Sequence, residues 1–176
     1  DGTDFQPGKD FQPFSFSSST SLEAEVVFAG FGISGSSGEL KWDDFADQDL
    51  KGKWVLVLRG DPEPDNASSA FIPMATDRAK ALSVRDRGAA GLLLVSPSSI
   101  DKNDQPVDIT FDKTVSDAGL PVISITRKTA AWILGLQPSA IDSVEKAMIS
   151  GKVTARISVK KKVNAATEVV RNKVNT

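Results

Sequence analysis

The run Trp54-Val55-Leu56-Val57-Leu58 constrains this chain more than any other stretch. It is apolar without interruption and mixes β-branched with bulky residues, so it reads as a strand. Lys51-Gly52-Lys53 marks its start and Arg59-Gly60-Asp61-Pro62 its end. A strand with one face in water alternates apolar and polar residues. An unbroken run is expected where both faces of a sheet are covered. Fully burying each such side chain is worth about 1.5–3 kcal/mol, so the rest of the chain should cover residues 54–58 from both sides. The acidic stretch Asp43 to Asp49 is too short for a long helix. It reads as a turn, or as one or two helical turns, feeding the strand.

A chain of 176 residues with 40% hydrophobic content is long enough to bury a core around that strand within one domain. Upstream, Glu23 to Ile33 reads as a strand centred on Val26, Val27 and Phe28, broken into a loop by Gly30, Gly32, Gly35 and Gly38. Downstream, residues 60–75 form a loop rich in Pro, Asp and Ser. Thr76 or Asp77 caps a helix running to Arg87, with Ala79 and Leu82 facing inward and Gly88 at its end. Gly91 to Val95 and Pro121 to Ile125 are short apolar strands. The polar loop between them, Ser96 to Gly119, holds one candidate strand, Val107 to Phe111. Thr126 caps a helix through Leu134, ended by Gly135. Ser139 opens another, with Ile141, Val144, Ala147 and Met148 at helical spacing, closed by Gly151. Lys152 to Val163 alternates Val153, Ala155, Ile157 and Val159 with Thr154, Arg156, Ser158 and Lys160, the pattern of a half-exposed strand. Residues 1–20 are polar and spotted with Phe, and DFQP occurs at 4–7 and 10–13. They read as an extended strap whose phenylalanines pack on the domain surface. Strands with helices interspersed place the fold in the α/β (α+β) class, around a mixed sheet.

Two absences exclude whole classes of chemistry. The chain has no Cys and no His. There is no disulfide framework, no thiolate metal site, no imidazole ligand and no imidazole base for a serine nucleophile. A net charge of −2 supplies no basic excess for general nucleic-acid binding. The longest apolar runs are far short of a membrane span. No signal peptide is visible, and DGTDFQPG reads as a processed end.

Several motifs invite a functional reading. Gly30-Phe31-Gly32-Ile33-Ser34-Gly35 matches G-x-G-x-x-G after a strand, and Asp61 stands where a ribose-binding acid could end the next one. The dinucleotide fingerprint, however, needs a helix opening at its third Gly to hold the pyrophosphate. SSGELKWDDF follows instead, with no helical periodicity, which disfavours a small enzyme with a nucleotide site. Arg59-Gly60-Asp61 spells a cell-adhesion tripeptide but reads as a strand end turning into a loop. Asn66-Ala67-Ser68 is a formal glycosylation sequon. Asp43, Asp44, Asp47 and Asp49 could bind a hard cation such as calcium, or serve as turn-forming and capping acids on a solvated face. Lys160-Lys161-Lys162 reads as a solvated charge run. No nucleophile has an adjacent base that the sequence identifies, so the residues describe a domain without its own chemistry.

Three segments in order carry a family resemblance: DDFADQDLKGKWVLVLRG at 43–60, Lys80 followed by RGAAGLLLV at 87–95, and GLPVISI at 119–125. Together they resemble the protease-associated (PA) domain, in the form inserted in zinc-dependent aminopeptidases of the group that includes glutamate carboxypeptidase and the transferrin receptor. EAEVVFAGFGI upstream is similar to that family's opening strand, and the likeness runs over residues 20–130. Within it, Gly88 can take positive φ at the helix cap, and small Ala89, Ala90 and Gly91 let helix and sheet backbones approach closely.

The resemblance implies a PA-like mixed sheet or sandwich flanked by helices. It also implies a non-catalytic role, either over the cleft of an exported zinc-dependent peptidase or in protein interaction. The alternative is a stand-alone module binding protein or peptide in a non-peptidase receptor. Zinc would lie in the parent catalytic domain, with no cofactor in this chain. Partners would be that domain and a peptide or protein substrate. The implied organisation is a strap at 1–20, the PA domain at 21–164 and a return segment at 165–176. Ala166 to Asn172 is similar to the re-entry pattern T-x-N-V-V, with Glu168 in place of Asn. No catalytic or metal residue is expected. Arg78 is the candidate for binding a substrate carboxylate, because related carboxypeptidases place an arginine near this helix start.

Overall fold

The computed structural model describes residues 4–107 and 117–169. In chain order the elements are β1 (Phe11–Pro13), β2 (Thr20–Phe28), β3 (Ser34–Ser37), β4 (Leu40–Asp43), β5 (Trp54–Leu58), α1 (Asp77–Asp86), β6 (Gly91–Val95), β7 (Val122–Ile125), α2 (Arg127–Leu134), α3 (Ala140–Gly151) and β8 (Lys162–Thr167). A 3-10 turn occupies Ile72–Met74. Six strands form one sheet in the order β1-β7-β6-β5-β2-β8, and β3 and β4 form a separate hairpin. The four inner strands run parallel, and both edge strands are antiparallel to their neighbours. This is the expected mixed α+β sheet flanked by helices.

β5 lies in the interior of the sheet, and all of its residues are buried. Trp54, Leu56 and Leu58 face one layer, with Phe28, Leu93, Val95, Ile123 and Ile125 beside them and residues of α2 and α3 over them. Val55 and Val57 face the other, with Leu92, Leu94 and Val122, covered by Ala81 and Val84 of α1 and by Phe14, Phe16 and Phe45. Two apolar layers on one strand explain why its sequence does not alternate. The helix starts follow from their caps. Thr76 Oγ1 accepts the Ala79 N–H at 3.1 Å, and Thr126 Oγ1 accepts the Thr129 N–H at 3.1 Å.

Four local expectations change. β2 stops at Phe28 rather than Ile33, because Gly30 (φ +53°) and Gly32 (φ +67°) turn the chain. α1 buries Lys80, Ala81 and Val84, whereas Ala79 and Leu82 are half-buried. The alternating stretch from Lys152 forms no ladder until Lys162, and Val153 is 58% exposed. Its polar residues are engaged elsewhere: Thr154 donates to Asp44, and Arg156 to the Ala46 carbonyl. The edge of β2 is taken instead by β8, in register from Glu25 opposite Lys162 to Thr20 opposite Thr167. Near the N-terminus, Phe11–Pro13 adds an edge strand to β7, and Phe14 and Phe16 are core residues rather than surface packing. Pro13 is tolerated there because an edge strand can spare an N–H.

Val107 lies in no strand, and residues 108–111 of the candidate strand lie outside the described residues. Of the proposed return segment, Ala165, Ala166 and Thr167 belong to β8, and the stretch from Val170 lies outside the described residues.

Candidate functional site

β5, β6 and β7 run parallel, so the residues that follow them, Arg59, Ser96 and Thr126, share one end of the sheet. In parallel sheets this carboxyl end is where ligands and loops gather. Here α1 starts and the 61–75 and 96–107 segments leave. Arg59 Nε and Nη2 donate to the two oxygens of Asp77 at 2.9 and 3.1 Å, and Nη1 donates to Ser96 Oγ at 3.1 Å. One turn on, Lys80 is fully buried. Its Nζ donates to the Leu58 carbonyl at 2.8 Å and the Gly60 carbonyl at 2.7 Å, and lies 5.9 Å from the Phe31 ring centroid. Burial pushes the Lys80 amine down to about 7, against the pull of Asp77 and Asp44.

The second segment is tied down in the same way. Arg127, 8% exposed, donates through Nη1 to the carbonyls of Ser96 (2.8 Å) and Asp101 (2.7 Å). Ser98 Oγ donates to Asp142 at 2.7 Å and Ser99 Oγ to Glu145 at 2.8 Å, pinning the segment to α3. Burial raises the Glu145 carboxyl. These cations and hydroxyls fix loops rather than present a nucleophile to a substrate.

Arg78 neighbours this cluster in sequence, yet its guanidinium lies 5.8 Å from the Phe16 ring centroid, over the N-terminal segment. The structure does not gather the four acids. Asp44 is fully buried: its carboxylate accepts the Phe31 and Ile33 N–H groups at 3.0 and 3.1 Å and the Thr154 hydroxyl. Burial pushes it up while those bonds hold it down. Asp43 accepts the Phe45 N–H and Asp49 the Lys51 N–H, both as turn acids. Asp47 adopts positive φ. Among the described residues no three His, Cys, Asp or Glu side chains could together hold a metal ion.

The glycine motif runs into the β3–β4 hairpin, and the Asp44 carboxylate occupies the amides where a phosphate would sit. Asn66 is exposed, and its side chain accepts the Ser68 N–H at 3.0 Å. Lys161 departs from the solvated reading: it donates to the Trp132 carbonyl, and its Nζ lies 4.2 Å from that indole. An open cleft of about 420 Å³ is lined by Ser34, Gly35, Ser36, Lys41, Trp42 and Asp43. Neither Arg78 nor Lys80 borders it. The buried roles of Lys80 and Asp44 were legible only indirectly: Lys80 sits on the stripe of Val84, and Asp44 is in phase with buried Trp42.

The PA domain family model matches residues 22–133. No curated protein sequence matches. Among solved structures, the chain is similar to an aminopeptidase from Aneurinibacillus sp. strain AM-1, at 18% identity and TM-score 0.46, covering 89% of this chain and 29% of that one. It is also similar to a zinc aminopeptidase from Bacillus subtilis. One structure of that enzyme gives 23% identity, TM-score 0.41 and 66% and 23% coverage; another gives 22%, 0.44 and 70% and 25%. The chain thus spans between 23% and 29% of the length of these solved chains. The family match runs from β2 nearly to the end of α2 and takes in the parallel centre of the sheet, and on it the chain belongs to the PA domain family.

Proposed function

We propose that this chain is a non-catalytic accessory domain of an exported zinc-dependent aminopeptidase, shaping the access of peptides to the active site. The observation that carries the reading is the family match over 22–133 in a chain that has neither His nor Cys. Such a chain lacks the side chains most used for zinc ligation and acid–base work, so zinc and the hydrolytic groups would lie in a catalytic domain of the parent protein. That domain would be the first partner of this one, and a peptide or protein substrate the second. The contact would be made by the 61–75 and 96–107 segments, because long loops on a rigid scaffold commonly carry function. Arg78, in the first turn of α1 after the 61–75 loop, would meet a substrate carboxylate.

The test is to read the full-length coding region and assay its product. We expect a neighbouring region with His, Asp and Glu metal ligands, aminopeptidase activity abolished by chelation, and peptide selectivity altered when the 61–75 loop is shortened. A full-length product without metal ligands or peptidase activity overturns the reading.

A further inference from the structure

Burial alternates residue by residue from Ala155 to Ala166. Ala155, Ile157 and Val159 are half-buried, Arg156, Ser158 and Lys160 are exposed, and the same phase continues through β8. A period of two marks an extended strand with one covered face. Ala155, Ile157 and Val159 pack on the core layer of Trp54 and Leu56. The ladder to β2, however, reaches only from Thr167 to Lys162. Among the described residues, no backbone N–H or C=O of residues 155–160 has a backbone partner. The Ala155 carbonyl accepts only the neighbouring Arg156 side chain, at 3.4 Å. β8 is the last strand of its sheet, so the arm 155–160 prolongs an open edge. Unpaired N–H and C=O groups in strand geometry are a template for another strand.

That edge carries one sign of charge. Between Glu145 and Glu168 the sequence holds Lys146, Lys152, Arg156, Lys160, Lys161 and Lys162 and no carboxylate, in a chain whose net charge is −2. Lys152, Arg156, Lys160 and Lys162 are exposed, and among the described residues none of them is in an ion pair. Lys162 has Glu25 across the ladder, and Lys161 turns to the Trp132 ring. Cations on an edge discourage indiscriminate pairing. They also exclude a second copy as the occupant, because two-fold pairing of this edge would set Arg156 and Lys160 against their like. A strand with acids on the same face gains what a second copy loses. Alternate side chains of an added strand would fall beside Arg156, Ser158 and Lys160, and the others beside Ile157 and Val159.

We propose that residues 155–160 take up an extended peptide as an added strand, and that the peptide is acidic at every second position and apolar between. Main-chain bonds give such a complex its affinity, and the charges select its sequence. The proposal is independent of the aminopeptidase reading, because it concerns an edge of this chain's own sheet.

The probe is a blocked peptide in which Glu alternates with Val and Thr. Hydrogen exchange is measured first on the chain alone. The amides of 155–160 should exchange near their intrinsic rates while those of β5 are protected. Protection of 155–160 without peptide would mean that the edge is already taken, and overturns the proposal. Added peptide should protect 155–160 several-fold and leave β5 unchanged. No protection at millimolar peptide overturns it too. A peptide of the same composition with its acids grouped at one end should bind at least several-fold more weakly. Equal binding of that peptide, or of a single-stranded oligonucleotide, would reduce the contact to charge attraction alone and overturn the added strand. Lys160→Glu, at an exposed position, should weaken the alternating peptide several-fold, and unchanged affinity in the folded variant counts against the proposal. If that variant fails to fold, the wild-type measurements decide. Dimerisation of the chain through 155–160, or a full-length protein that refuses a peptide the chain accepts, would assign the edge to another occupant and overturn the proposal.

Discussion

A Cβ on Gly91 would stand 2.4 Å from the Trp54 indole, its partner across the β5–β6 ladder. Real side-chain contacts are never so short. The indole cannot swing away, because it is fully buried and its Nε1–H donates to the Val163 carbonyl at 3.1 Å. Gly91 is small for the sake of a ring in the neighbouring strand, rather than for a helix backbone packed on the sheet. Gly91→Ala should therefore cost about 1–3 kcal/mol, the range for overpacking a filled core. Urea denaturation measures it, and an unchanged midpoint would mean that the ring has room to move.

Removing volume from the same strand should cost more. Leu56 is fully buried between β2 and β6, so Leu56→Ala should destabilise by about 2–5 kcal/mol. The surface control should be Lys160, which is exposed, with an expected effect within about 0.5 kcal/mol. Lys161 is unsuitable as that control, because its contact with the Trp132 ring is worth about 0.5–1 kcal/mol. Equal denaturation midpoints for Leu56→Ala and Lys160→Ala would contradict the central place of β5.

What could be read from the sequence was what local chemistry decides. The β5 run, the β6 run and the Thr76 and Thr126 caps each carry their signal within a few residues, and the structure places them accordingly. What could not be read depends on which distant segment arrives as a partner. The stretch 152–160 alternates without a break, but Thr154 is drawn to Asp44 and Arg156 to Ala46, so the strand forms later, at 162–167. The hairpin strand Ser34–Ser37 has too little apolar content to announce itself. Of the candidate site, the helix start carrying Arg78 was legible. Lys80 was legible only indirectly, because a lysine on a core stripe is ordinarily assumed to reach for water.

Lys80 also sets a pH dependence of global stability. Its folded-state value of about 7 lies below the ordinary 10.5 of an unfolded chain. Between those two values the unfolded chain holds a proton that the folded one has released, so stability rises with pH. The contribution is at most about 1.4 kcal/mol per pH unit, absent below pH 7 and complete above 10.5. Neither imidazole nor thiol titrates in that window, since the chain has no His and no Cys. Urea midpoints measured from pH 7 to 10 should rise for the wild type and flatten for Lys80→Met. A wild-type midpoint that falls from pH 7 to 9 would contradict this.

Asp44 offers a further test. Its carboxylate gathers two amides from the Gly30–Ile33 turn and the Thr154 hydroxyl, so it joins three segments distant in sequence. Asp44→Ala leaves those donors buried and unpaired, at about 1–3 kcal/mol for each such group. Asp44→Asn keeps one acceptor oxygen and should lie between the alanine variant and the wild type. Thermal melts would rank the three proteins, and an alanine variant as stable as the wild type would show that water replaces the carboxylate.

Arg78 separates a structural role from a binding one. A cation in the first turn of a helix opposes the helix dipole, so its place there calls for some compensating contact. The structure supplies one in the Phe16 ring, 5.8 Å from the guanidinium, worth about 0.5–1 kcal/mol at a partly exposed site. If bracing Phe16 is its whole task, Arg78→Ala should lower stability by that amount and, on the proposed peptidase reading, leave the full-length protein's KM unchanged for every peptide. If it also meets substrate, KM should rise several-fold for peptides that present a carboxylate, with kcat kept. Arg78→Lys then divides the two roles further. A lysine retains a charge over the ring but lacks the planar fork that grips both carboxylate oxygens, so it should restore the stability and not the KM. A lysine variant that restores both would leave a point charge sufficient, and one that restores neither would place the requirement in the packing of the guanidinium itself.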